Sequence, residues 1–295
     1  MAIATTTTLA DLINEEIGRC LEAPRTKPVW WMGGILYKML RVRDLTGEGF
    51  GSSDFNKYGT LTAYDVAEGE LFNEVQSLTP TSVNVVPTEK QVISWITNRA
   101  MRALAAPNAA RTRAADEAAE HTRAHIDKFD KAVFALAPNL TLGANKTKAA
   151  LTVSDVRLSV KTMSAANAPQ PWIGFLSTQQ WDDLCLESGS ALADAAKSGT
   201  VGEELWQNYQ IKHFLSVDWV VSNNVYDDGT DAYGGIISDR ALGAVFQLLP
   251  QVETIANTSA EAVKRRSTMI SSVADWGVGV VESDMGVYLR SRKTA

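Results

Sequence analysis

Residues 66–96 read VAEGELFNEVQSLTPTSVNVVPTEKQVISWI, and the fold turns on what holds this stretch in place. Val83 and Val85 alternate with polar neighbours, and Thr79-Pro80-Thr81 supplies a turn, so the pattern predicts a β-hairpin. Polar residues dominate it, and Pro87 interrupts the second strand. A proline in a strand belongs at an edge or a bulge, so this hairpin is not the middle of a sheet. A lone two-stranded ribbon is barely stable in water. Something else must support it, and a second copy of the same chain is the natural candidate.

Downstream, residues 107–138 run from Pro107 to Pro138 with no Gly or Pro between, which predicts one long helix. Thirty or so residues at about 1.5 Å each make a rod near 45 Å. Ala115, Ala119, Thr122, Ile126, Phe129, Val133 and Leu136 fall on one stripe whose first half is alanine. The C-terminal half is therefore expected in a core, and the N-terminal half against a thin or flat partner. Arg113 with Glu117, Arg123 with Asp127 and Asp127 with Lys131 offer i,i+4 support.

Upstream, Leu9, Ile13 and Ile17 predict a short amphipathic helix, followed by VWWMGGILYKML and an aperiodic glycine-rich stretch. Beyond the rod the texture turns to mixed α/β. LTVSDVRLSVKTM has helical spacing after Thr152, PWIGFL (171–176) reads as a buried strand, and STQQWDDLCLES restarts a helix capped by Ser177 or Thr178. SVDWVVSNNVYDDGTDAYGGIIS reads as two strands joined by an Asn/Asp/Gly loop. A short helical piece is expected from Asp239, and the C-terminal end is β-rich.

The whole sequence has 295 residues, 45% of them apolar and 21% charged, with a net charge of -6. This is globular composition with material for a real core. The acidic balance argues against a protein whose main work is gripping phosphate backbones. The longest apolar run, residues 29–37, is too short to span a bilayer core of roughly 30 Å, and no secretion signal follows Met1. Cys20 and Cys185 read as small buried hydrophobes rather than a disulfide.

Little in the chain promises catalysis. His121 and His125 stand at i,i+4 with Glu117 a turn earlier, a spacing that could hold a metal, but Thr122 occupies the place of the zincin glutamate. A solvated or inter-subunit charged helix face is the plainer reading. His213 reads as structural. Asp227, Asp228 and Asp231 around Gly229 lack the order of a calcium loop and fit a turn. No phosphate loop, nucleophile elbow or cofactor motif is present, so no cofactor, metal or catalytic residue is assigned. One cluster is basic: Arg19, Arg25, Lys27, Lys38, Arg41 and Arg43, with Trp30 and Trp31 interleaved. It suits either nucleic acid or the acidic surface of a neighbouring copy.

Taken together, the hairpin VAEGELFNEVQSLTPTSVNVVPTEKQVISWITNRAM, the rod, the domain with PWIGFLSTQQWDDL and the end GVGVVESDMGVYLRS resemble the major capsid proteins of tailed bacteriophages. That shell fold is shared with encapsulins and the herpesvirus capsid floor. The resemblance covers nearly the whole chain and rests on the order of parts. It implies an α+β fold with an N-terminal arm (1–58), an extended loop (59–95), a peripheral domain (96–138 and 239–295) with a spine helix at about 107–137, and an axial domain (139–238). It implies that Glu68, Glu70, Phe72, Glu74, Val83, Val85, Glu89 and Lys90, with Trp30 and Trp31, face neighbouring subunits. Arg19, Arg25, Lys27, Arg41 and Arg43 form an arm facing DNA or a neighbour.

The function so implied is structural, not enzymatic: hexamers and pentamers of one chain closing an icosahedral shell around packaged double-stranded DNA. That shell is part of a virion assembled in the bacterial cytoplasm. The partners implied are a separate scaffolding protein, a portal and room for a cement protein, with no membrane. The alternatives are an encapsulin-like compartment holding a cargo enzyme and, further off, a soluble hydrolase built from distant residues.

Overall fold

The computed structural model describes residues 40–47, 51–57, 65, 80–97, 107–186, 213–253 and 267–293. Its first strands are β1 (Leu40–Asp44), β2 (Ser53–Lys57), β3 (Thr81–Val85) and β4 (Thr88–Thr97), followed by helix α1 (Pro107–Phe134). Next come β5 (Thr141–Lys146), α2 (Val153–Ala165), β6 (Trp172–Leu176) and α3 (Thr178–Leu186). Strands β7 (His213–Phe214), β8 (Val217–Val221), β9 (Asp231–Ile237), β10 (Leu242–Glu253), β11 (Ser267–Val280) and β12 (Gly286–Arg292) complete the described chain. The class is α+β, as the sequence leads one to expect.

Three sheets organise these elements. One has four strands in the order β1-β10-β11-β4, one has six in the order β5-β12-β9-β6-β8-β7, and β2 and β3 form a separate ribbon. Strand β6 shows why the six-stranded sheet is a middle layer: all five of its residues are buried. Side chains alternate across a strand. Trp172 and Leu176 enter the core beneath α2 and α3. Ile173 and Phe175 enter the opposite core, which they share with α1 and the four-stranded sheet.

The C-terminal half of α1 sits where the two large sheets meet. Phe129 is fully buried, stacks on Phe246 at 5.4 Å and meets the edge of Trp276 at 4.8 Å. Val133 and Phe134 continue the same core, so this half of the rod is anchored as its composition predicts. The helix ends at Phe134, and a 3-10 turn at Ala137–Asn139 carries the chain past Pro138. The buried line runs through His121, His125, Phe129 and Val133, with Ile126 only half-buried. It is displaced from the expected stripe because the histidines find partners inside.

Local signals place the two shorter helices. Thr152 and Asp155 form a reciprocal capping box at the start of α2. At α3, Ser177 Oγ accepts from the Gln180 N–H at 3.2 Å while Gln180 Oε1 accepts from the Ser177 N–H at 3.1 Å. The buried Gln180 amide also donates to the carbonyls of Ala232 and Leu289 and to Ser291, tying the helix to β9 and β12.

Three expectations are corrected, and a fourth is met only in part by the described residues. Among them β3 pairs antiparallel with β2, Phe55 opposite Val83, while residues 66–79, the other arm of the expected hairpin, lie outside them. Strands β8 and β9 flank β6 rather than each other, because β6 is parallel to β8 and antiparallel to β9. Residues 242–253 form a long strand where a helical piece was expected, since β10 is buried between β1 and β11. Finally, β12 returns to the six-stranded sheet, between β5 and β9, so 286–292 join the unit expected to end at residue 238.

Candidate assembly surface

The ribbon is seated on its own chain at one end. Phe55 and Val85 are 3% and 4% exposed and pack with Val245 and Val281. Val85 is thus spent inside the subunit, against the expectation that it faces a neighbour. The seat is made by glycines of the four-stranded sheet. A Cβ on Gly279 would lie 2.9 Å from a Val85 methyl, and one on Gly277 only 2.4 Å from the Val86 carbonyl oxygen. Backbone must approach backbone here, which only a residue without Cβ permits.

The same strands then leave the seat. Burial falls from Val85 through half-buried Val83 to exposed Thr81, while Asp54, Asn56, Ser82 and Asn84 line the outer, exposed face. Asn84 donates to Ser52 and Asp54 across the ribbon, both at 2.7 Å. Lys57 reaches Asp284 at 3.0 Å and holds that carboxyl below the usual carboxylate range. At the junction Val86 is 60% exposed, and Pro87 marks the break between β3 and β4.

Beyond the break, β4 forms one border of the four-stranded sheet, with β11 as its only strand neighbour among the described residues. Its ten-residue register with β11 has no bulge. Glu89 and Gln91 are exposed, as is the large apolar Ile93 at 47%. Lys90 does not point outward as expected. Its ammonium stands 4.0 Å over the Trp276 ring and donates to the carbonyl of Trp276 and to Thr88. Burial pushes its pKa down to about 8, with Asp275 pulling upward and Lys128 adding to the fall.

Two members of the expected basic arm are likewise engaged within the chain. Arg43 donates to Ser53 Oγ at 3.0 Å and lies 5.4 Å over the Phe55 ring. Arg41 is 3.5 Å from the buried Glu282. Arg19, Arg25, Lys27, Trp30, Trp31, Glu68, Glu70, Phe72 and Glu74 lie outside the described residues, as do Lys38 and Cys20.

The groups considered for chemistry are structural where they are described. His121 and His125 are 2% and 1% exposed, so neither a solvated face nor a substrate-facing site describes them. His121 Nδ1 and His125 Nε2 share Ser272 Oγ at 2.8 and 3.0 Å. Asp227 and Asp228 accept backbone N–H groups of the turn around Gly229, whose φ of +90° suits glycine. Asp228 is held down to about 2, chiefly by the backbone N–H of Asp231 and then that of Thr230. Among the described residues no His, Cys, Asp and Glu cluster could hold a metal. The half-buried Cys185 thiol is pushed up to about 11 by burial and Asp182. The side chains of Glu117 and His213 lie outside the described residues.

The sequence reading missed the glycine seat and the serines that meet the histidines. The former had a signal: Gly277 and Gly279 alternate with Val278 and Val280, which strips side chains from one face of a strand. The serines had none, because Ser94 and Ser272 are distant from the helix in sequence.

No protein-family model matches the chain, and no curated protein matches it in sequence. Solved structures do match in fold. The capsid of cyanophage P-SCSP1u superposes with a TM-score of 0.61 at 14% identity, over 88% of this chain and 88% of that one. The mature capsid of bacteriophage PhiM1 gives 0.60 at 12% identity, over 88% and 87%. A structure from Mycobacterium phage Che8 gives 0.59 at 20% identity, over 81% and 84%. The chain has the fold of phage capsid subunits.

Proposed function

We propose that this chain is the major capsid protein of a tailed double-stranded DNA bacteriophage, a structural protein that self-assembles into an icosahedral shell. The observation that carries the reading is whole-length likeness in fold to phage capsid structures, with 88% of both chains covered in the match to P-SCSP1u. The exposed edge gives it a physical basis: a ribbon that leaves its seat, an unbulged border strand and apolar Val86 and Ile93 in solvent. Edge strands invite pairing unless they are blunted, and β4 has its one lysine folded inward.

On this reading the shell does no chemistry. Its partner is itself, repeated under symmetry as hexamers and pentamers, and each subunit is held on several sides at once. A net charge of -6 keeps the wall from binding the packaged duplex tightly. A scaffolding protein, a portal and a cement protein are further partners of such a shell, which is built in the bacterial cytoplasm and ends in the virion. Glu68, Glu70, Phe72, Glu74, Val83, Glu89, Trp30 and Trp31 are proposed to meet neighbouring subunits, and Arg19, Arg25 and Lys27 to face DNA or a neighbour.

The test is assembly of the purified chain, alone and co-expressed with its phage scaffold, followed by sedimentation and negative-stain microscopy. Shells are expected, and deleting residues 66–79 is expected to abolish them while preserving circular dichroism. A stable monomer at high concentration under both conditions refutes the reading. Particles filled with a cargo protein instead of DNA point to an encapsulin-like compartment.

A further inference from the structure

Helix α2 has two stripes of use. Its inner side sends Val153, Val156 and Met163 into the core beneath the six-stranded sheet. A second stripe, Arg157, Val160, Lys161, Ser164 and Ala165, follows the i, i+3, i+4, i+7, i+8 spacing of one helix face. It lines an open groove of about 440 Å³ whose far wall is Leu215. Leu215 stands there against the preference of its backbone. With Ser216 it makes the two-residue turn between β7 and β8, and both are left-handed, at φ of 53° and 61°. Such turns favour Asn-Gly, so turn chemistry does not account for a leucine at this place. Its side chain packs on the core from one side and walls the groove from the other.

The groove is apolar at its floor and cationic at its rim. Val160, Ala165 and Leu215 supply the apolar surface, and Leu158, 55% exposed, follows Arg157 on the helix. Arg157 and Lys161 are exposed, one turn apart, and neither forms an ion pair among the described residues. Asp155, the nearest carboxylate in sequence, is taken by Lys146 at 3.5 Å and by the capping box with Thr152. Two solvated cations beside an apolar floor fit an acidic segment with an apolar side. The chain carries such a segment itself. Residues 202–211 read GEELWQNYQI, with Glu203 and Glu204 beside Leu205, Trp206 and Tyr209, and no cation before Lys212. They belong to residues 187–212, outside the described residues, and the described chain resumes at His213, two positions before Leu215. The segment is thus tethered beside the groove, while the groove itself stays open in the single chain.

We propose that the α2 groove docks residues 202–211 of a second copy of this chain. Glu203 and Glu204 meet Arg157 and Lys161, while Leu205, Trp206 and Tyr209 cover Val160, Ala165 and Leu215. The contact is head to tail, since each copy gives its segment to one neighbour and receives another's, and contacts of this kind close into rings when the rotation allows. A single docking is weak and gains strength when every copy in a ring repeats it. The proposal deepens the shell reading by naming one contact within its hexamers and pentamers, and it rests on that reading only for the closed ring.

Fluorescence polarisation of a fluorescein-labelled peptide of residues 201–211, titrated with the full-length unassembled subunit at low and high salt, tests it. Saturable binding is expected, weakened on the order of fivefold between roughly 50 and 500 mM NaCl as the charges are screened. The double variant Arg157→Glu, Lys161→Glu is expected to bind on the order of tenfold more weakly or worse, because its rim repels the peptide. Both side chains are exposed, so its circular dichroism is expected to match that of the wild type. Should that variant not fold, Arg157→Gln with Lys161→Gln is read in the same way. A peptide carrying Glu203→Gln and Glu204→Gln is expected to lose affinity to a similar degree. Absence of saturable binding, equal binding by the groove variant, or indifference to the peptide's glutamates each overturns the proposal. A groove already filled by the chain's own segment also excludes the peptide, and that outcome counts against a second copy. Because the readout is a peptide on unassembled subunits, its failure leaves the shell reading standing, and a failure to form shells leaves the groove standing.

Discussion

At Gly277 a single missing methyl group decides whether the ribbon can sit down. A Cβ there meets the Val86 carbonyl oxygen at 2.4 Å, its carbon at 2.9 Å and Pro87 Cα at 3.2 Å, all of them backbone atoms. At Gly279 the nearest obstacle is one Val85 methyl, which a rotamer change can move. Overpacking of this kind costs about 1–3 kcal/mol where the backbone must shift. Gly277→Ala is therefore expected to lower subunit stability in urea by about 2–3 kcal/mol, and Gly279→Ala by less than half of that. The reverse order refutes the seat. The GVGV alternation made a bare strand face legible beforehand. What lay on it was not, because the ribbon's Phe55 and Val85 are far away in sequence and their polar neighbours look solvent-facing.

At the scale of elements, α1 shows why a periodic pattern locates a helix more surely than its buried face. Pro107, Pro138 and the intervening run fixed its extent to within a few residues of Pro107–Phe134. The face turned toward His121 and His125 because two serines from other strands satisfy them, a non-local cause that hydrophobic spacing does not encode. The same helix carries a strained carboxylate. Asp130 has a buried, unpartnered Oδ1, and burial, then Asp127, push it up to about 6. A raised carboxylate penalises the folded state above its folded value and stops doing so as pH falls toward the unfolded value near 4. Asp130→Asn is expected to stabilise the subunit by ~1–2 kcal/mol at pH 7.5, allowing for solvent screening of a partly open group, with the gain vanishing by about pH 4. Thermal melts across that range check it, and a gain that persists at pH 4 excludes the charge as its cause. This trend opposes that of His125, held down to about 4 chiefly by burial, whose protonation costs the folded state stability over much of the same window.

At the scale of the molecule, the order of parts was legible and the sheet assignments were not. Strand β6 draws in β8 from one side and β9 from the other, and β12 crosses back from the far end of the chain. Each pairing is long-range, and neighbouring residues carry no record of it. The candidate assembly edge is the converse case, since its Pro87 break and polar alternation mark a border strand from sequence alone. Val86 and Ile93 stand on that border, seven residues or roughly 23 Å apart along an extended chain. Neither contributes much burial within the subunit, at 60% and 47% exposed. A charge at either position should therefore leave the fold nearly untouched, with a melting temperature within about 2 °C of the wild type. In a dry subunit interface the same charge is costly, because desolvation finds no partner for it. Val86→Asp and Ile93→Asp are thus expected to yield soluble, folded subunits that no longer form shells in sedimentation. Shells of normal yield from both variants exclude this edge from the contact, whereas a collapsed melting temperature shows that the two side chains serve the fold instead.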